Sequence, residues 1–147
     1  MDAKKFIHTA MAPTPGLYSQ AVLIDPLYHS LLFLSGQTGN NPLDDSQSVV
    51  DGGFLPQTQM ALSNLLAVVM SAGGKASDFV SLQIFVKDSD DREASRIAIN
   101  TAYRDFFISQ AVENLPARTF VWVSEIPLES EGTLVEICGI AAIPKKE

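Results

Sequence analysis

The chain is expected to fold as an α+β two-layer domain, with a mixed sheet of about six strands and two helices on one face. Three observations point there. Apolar runs and breakers give the order β, β, β, α, β, α, β, β, which lacks the strict alternation of a doubly wound sheet. Two stretches, after Pro56 and after Asp91, repeat apolar residues at helical spacing. Residues 31–34 and 134–143 are apolar on both faces by period-two counting. Two helices cover only one sheet face, so the other needs a cover. Another copy of the same chain, in a symmetric oligomer, is the simplest one.

In chain order, residues 5–8 suit a short first strand. Ala12-Pro13-Thr14-Pro15-Gly16 forbids regular structure and makes a stiff loop that ends at Tyr18-Ser19-Gln20. Residues 21–24 and 30–34 read as two strands joined by a hairpin turn at Asp25-Pro26-Leu27-Tyr28. Ser35-Gly36-Gln37-Thr38 leaves the second of these in small polar residues, and the stretch to about Gly53 is a polar surface loop. Pro56 fits a first helical turn, where its missing amide proton costs nothing. Leu62, Leu65, Leu66 and Val69 make the stripe, and Gly73-Gly74 ends it. Residues 79–86 form a third long strand. Asp88 to Asp91 supply caps for a helix from about 92 to 108, with Ile99, Ala102, Tyr103 and Phe106 facing inward. Asn114-Leu115-Pro116 breaks that helix. A strand from Arg118, a turn from Pro127 to Gly132 and a last strand complete one domain, 1–147.

Composition narrows the function classes. Of 147 residues, 46% are apolar and 18% charged, enough for a core and against disorder. A net charge of -7 without a Lys/Arg cluster argues against a nucleic-acid partner, which is normally met by a basic face. The single Cys permits no intrachain disulfide. No signal-peptide core and no run of membrane-spanning length stand out, so a cytoplasmic protein without a membrane partner is expected. His8 and His29 share no metal-ligand spacing with Cys or acids, so no metal is expected.

Two groups stand out chemically. Arg118 opens the apolar run Phe120-Val121-Trp122-Val123, and its planar fork matches a carboxylate with two parallel hydrogen bonds. It serves either an anionic ligand or a structural ion pair. Glu136 is the one charge in an otherwise apolar strand, on a face shared with Leu134, Cys138 and Ile140. It must be paired, hydrogen-bonded or functional, because a bare buried charge costs several kcal/mol. Tyr18 and Ser35 are polar groups at loop edges that bond either a ligand or a turn. Asn100 is a mid-helix amide, and Phe120 and Trp122 alternate on a strand as core residues. Cys138, with an acidic neighbour, reads as a small buried hydrophobe rather than a nucleophile.

The chain resembles the reactive intermediate deaminase (RidA/YjgF) family across nearly its whole length. The resemblance rests on residues 15–22 (PGLYSQAV), Leu34-Ser35-Gly36-Gln37, Asn64-Leu65, Asn100-Thr101-Ala102-Tyr103, Pro116-Ala117-Arg118-Thr119 and Val135-Glu136-Ile137, in order and at near-constant spacing. It implies a chorismate-mutase-like fold assembled as a homotrimer, with sites in clefts between subunits. It also implies hydrolysis of 2-enamine/2-imine acids such as 2-iminobutyrate or 2-iminopropionate to 2-keto acids and ammonia, without a cofactor. In that frame Arg118 clamps the substrate carboxylate and Glu136 positions the water. Tyr18, Ser35, Gly36 and Asn100 line or support the pocket, with Phe120 beside them. Two positions depart: Phe120 stands where many members have Cys, and Glu136-Ile137-Cys138 where many have Glu-Ile-Glu. These departures leave open a non-catalytic carboxylate-binding member, or a deaminase of another small imine. RNA cleavage, attributed to some relatives, is disfavoured by the charge.

Overall fold

A computed structural model of the chain describes residues 3–13, 16–127 and 132–146. Its strands are β1 (Lys4–Ile7), β2 (Ala21–Ile24), β3 (His29–Thr38), β4 (Phe79–Lys87), β5 (Ala117–Val123) and β6 (Val135–Pro144). Helix α1 spans Phe54–Ser71 and α2 spans Arg92–Ser109, with a 3-10 turn at Ala76–Asp78. The element order is the expected one. The six strands divide, however, into a four-stranded sheet of order β3-β6-β4-β5 and a separate β1-β2 ribbon.

The division corrects one local expectation. Asp25 to Tyr28 does turn, with the Tyr28 amide donating to the Asp25 carbonyl and the Leu27 amide to the Asp25 side chain. It is no hairpin, because β2 pairs with β1 while β3 pairs with β6. Residues 35–38 also do not leave the sheet. Leu34 pairs with Gly139 and Gln37 with Ile137, so Ser35 and Gly36 together oppose Cys138. This is a β-bulge, which lets the strand absorb one extra residue and continue to Thr38. Within the expected turn from Pro127 to Gly132, residues 128–131 lie outside the described part.

β4, α2 and β5 form a parallel crossover, whereas β6 runs antiparallel to both β3 and β4. Both helices follow from their stripes. Ala61, Leu62, Leu65 and Val69 of α1 are fully buried, with Leu66 packed at the edge. The Gly73 amide reaches the Met70 carbonyl and the Gly74 amide the Val69 carbonyl, with Gly73 in the left-handed region (φ 84). At the start of α2 the Asp91 carboxylate accepts from the Ala94 amide. Ile99, Ala102, Tyr103 and Phe107 are its buried apolar residues; Phe106, expected inside, is half-buried. Phe107 lies one turn beyond Tyr103 and takes the inner place, with Phe106 edge-on against it (84–85° against both Phe79 and Phe106).

The helices share one core with Leu82, Ile84, Val86, Val135 and Ile137 of the sheet. The alternate residues face away from the helices. On that side Leu31 (50%), Phe33 (74%) and Val121 (38%) are exposed. The layering therefore matches the two-layer expectation, with one sheet face covered by helices and apolar residues exposed on the other.

Candidate active site

Arg118 is the second residue of β5, the edge strand. It pairs with Leu82 of β4, whose side chain lies in the core, so Arg118 points to the helix side of the sheet. There α2 receives it. Nη1 of Arg118 donates to Oδ1 of Asn100 at 2.8 Å. The guanidinium carbon stands 4.8 Å from the Tyr103 ring centre and 6.0 Å from that of Phe120. Burial pushes the guanidinium below its ordinary pKa, opposed by the Tyr103 and Tyr18 phenols. The ion pairs of the described residues are Lys4–Asp78, Arg92–Asp88 and Arg96–Glu93; none involves Arg118. A half-buried cation is thus held by an amide oxygen and aromatic faces, with the rest of its fork unbonded among the described residues.

The loop before β2 closes this side. A Cβ on Gly16 would stand 2.7 Å from the Tyr18 ring and 3.5 Å from Nη2 of Arg118, so only a glycine leaves room for that packing. Buried Ser19 fixes the loop: its amide donates to the Pro116 carbonyl at 3.1 Å and its Oγ to the Leu115 carbonyl at 2.5 Å. Gln20 binds the loop internally, its side chain bonding both the amide and the carbonyl of Thr9. Tyr18 is therefore tied to the segment that delivers Arg118.

Glu136 occupies a different place. It pairs with Thr38 of β3 and Phe85 of β4, on the sheet face away from the helices. Its carboxylate lies over Gly36 of the bulge, where an added Cβ would fall 2.0 Å from Oε1. Ser35, in the same bulge, is exposed. Cys138 follows on the same face and donates weakly to Oε1 of Gln83 at 3.5 Å. Burial, and then Glu136, push the Cys138 thiol above its usual pKa.

The residues singled out from sequence thus fall into two groups. Arg118, Asn100, Tyr18 and Phe120 meet on the helix side at the sheet edge. Glu136 and Gly36 meet on the open face, with Ser35 exposed beside Gly36 in the same bulge. Two contributors were missed. Tyr103 reads in sequence as one residue of a core stripe, although its spacing of three from Asn100 places both on one helix face. Ser19 carries no signal beyond its place between Tyr18 and Gln20.

The fold is a small α+β domain, and among the described residues its edge arginine has no ion-pair partner. The comparisons place it further. The profile of the family described as Endoribonuclease L-PSP matches residues 9–143, and the chain belongs to that family, the RidA/YjgF family of the resemblance above. A 2-iminobutanoate/2-iminopropanoate deaminase from Dermatophagoides farinae is 37% identical over 144 residues, 97% of this chain and 99% of the relative. One of the same name from Capra hircus is 33% identical over 139 residues, covering 94% and 89%. Among solved structures, a Rid-family protein of unknown function from Yersinia pestis, YyfB, superposes with a TM-score of 0.78 at 26% identity, covering 96% and 99%. TdcF from E. coli with bound serine gives 0.65 at 28% identity, covering 93% and 97%.

Proposed function

We propose that the protein hydrolyses small 2-imino carboxylic acids, of the 2-iminobutanoate and 2-iminopropanoate type, to the 2-keto acid and ammonia. The observation that carries this reading is the half-buried Arg118 guanidinium, which no carboxylate of the described residues neutralises. A substrate carboxylate supplies the missing counter-charge through two parallel hydrogen bonds. The names of relatives at 33–37% identity support the same reaction class.

In this reading Arg118 anchors the carboxylate and so fixes the adjacent imine carbon. Glu136 takes a proton from a water whose oxygen bonds to that carbon. The C=N double bond opens as nitrogen takes up that proton, giving a carbinolamine; the C–N bond then breaks as the hydroxyl proton passes to nitrogen, so imino acid plus water becomes keto acid plus ammonia. No cofactor takes part. Asn100 holds the arginine, while Tyr18, Ser35, Gly36 and Phe120 line the pocket. Because Arg118 and Glu136 belong to opposite sheet faces, we assign them to one site through two copies of the chain, in a homotrimer whose subunits cover the exposed apolar face. The cytoplasm is the proposed setting.

A second reading is a carboxylate-binding protein without turnover, favoured by Phe120 and Cys138 where family members often carry Cys and Glu. RNA cleavage, which the family description names, fits poorly with a net charge of -7. The test is ammonia release from 2-iminobutanoate generated in situ, beside calorimetric titration with 2-oxobutanoate. Wild type should accelerate release, and Arg118→Ala should lose on the order of 100-fold in kcat/KM, as expected when one member of a buried charge pair is removed. Saturable binding without turnover would select the second reading.

A further inference from the structure

We infer that Tyr103 is the positioning residue for Arg118, acting through the face of its ring and not through its hydroxyl. The inference rests on the reading of Arg118 as the carboxylate clamp, and deepens it. A guanidinium has two kinds of surface: an in-plane rim of N–H donors and two π faces. Asn100 takes one rim position, with Nη1 donating to Oδ1 at 2.8 Å. Tyr103 turns the face of its ring to the group, its ring centre 4.8 Å from the guanidinium carbon. Asn100 and Tyr103 stand three apart on α2, so one rigid element supplies both contacts. A rim bond alone lets the fork pivot about it; a ring packed against the same group restricts that pivot.

The ring is itself immobile. Tyr103 is fully buried, with Phe107 at 4.9 Å, and Phe107 is held in turn by Phe79 and Phe106. The ring steadies the charge without an ion pair, and Asn100 is the one hydrogen-bond partner of the fork among the described residues, which leaves donors for an anion. A carboxylate in place of the tyrosine would fix the arginine equally well but occupy the donors that a substrate needs. The hydroxyl has no hydrogen-bond partner among the described residues. Its absence should therefore leave the arginine's placement intact.

The experiment separates ring electrostatics from packing. Tyr103 is replaced by phenylalanine, then by phenylalanines of increasing fluorination, which drain negative charge from the ring face at nearly constant shape. Circular dichroism checks the fold of each, and 2-oxobutanoate titration gives the affinity. The line shape of the Arg118 Nε–H signal in nitrogen-edited NMR reports how firmly the fork is held. Tyr103→Phe should stay within about twofold of wild type, and affinity should fall stepwise to roughly tenfold weaker with the fully fluorinated ring. The Nε–H signal should broaden in parallel. Affinity and line shape indifferent to fluorination would overturn the inference, as would a Tyr103→Phe variant as weak as the fully fluorinated one. If wild type binds no 2-keto acid, the clamp reading fails by itself, and the Nε–H signal still decides whether Tyr103 holds Arg118.

Discussion

Arg118 and Glu136 project from opposite faces of one sheet. Arg118 pairs with Leu82 of β4 and Glu136 with Phe85, three residues further along the same strand. An odd separation on a pleated strand reverses the side-chain direction. Leu82 is fully buried against the helices, and Phe85 lies on the other side. In the proposed function, the two groups are accordingly assigned to one site through different copies of the chain.

That relationship predicts complementation. Arg118→Ala and Glu136→Gln should each be inactive alone in the deaminase assay. Dissociated, mixed in equal amounts and reassembled, they should recover about a quarter of wild-type activity, because a random quarter of shared sites unites an intact arginine with an intact glutamate. A mixture as inactive as its parents would place both groups in a site within one protomer, or in none.

Gly36→Ala is predicted to separate stability from activity. The new methyl would meet Oε1 of Glu136 at 2.0 Å, along with its Cδ and Cγ at 2.7 and 2.8 Å. These atoms belong to a flexible side chain, so the carboxylate should swing away and the backbone should hold. The expected change in unfolding free energy is below about 1 kcal/mol, whereas kcat should drop at least roughly tenfold through a misplaced water-directing group. Urea unfolding beside steady-state kinetics checks both. Equal losses in the two would mean the bulge itself had collapsed.

Cys138 gives an independent check on where the Glu136 charge sits. Burial and the Glu136 carboxylate both hold the thiol above its usual pKa. Alkylation by iodoacetamide, which needs the thiolate, should set in at higher pH than for a free cysteine. Glu136→Gln removes the neighbouring negative charge, so the onset should move to lower pH. An unchanged profile would separate the two side chains.

Much of this arrangement was legible in the sequence because it rests on periodicity and punctuation. The stripe of Leu62, Leu65 and Val69, the Asp91 cap and the Gly73 stop each announce themselves locally. The misreadings occurred where distant pairing decides. Thr38 stays in the sheet because β6, about a hundred residues later, pairs with it across the bulge. Asp25 to Tyr28 resembles a hairpin, yet its flanking strands find other partners. Phe106 and Phe107 are equally apolar, and only packing against Phe79 selects the second. Arg118 and Glu136 were visible as isolated charges in apolar strands, but their opposite orientation depends on the register with β4, which no local pattern encodes. Tyr103 escaped because a buried aromatic on a helix looks like ordinary core.

The position of β6 bears on how the chain matures. Its strand comes last along the chain yet lies inside the sheet, between β3 and β4. During synthesis β3 and β4 cannot complete their pairing until residues near 135–144 emerge from the ribosome, and unpaired strand edges are the kind of surface that favours aggregation. A stop codon shortly before Val135 would remove the middle of the sheet and leave no nearly folded remnant.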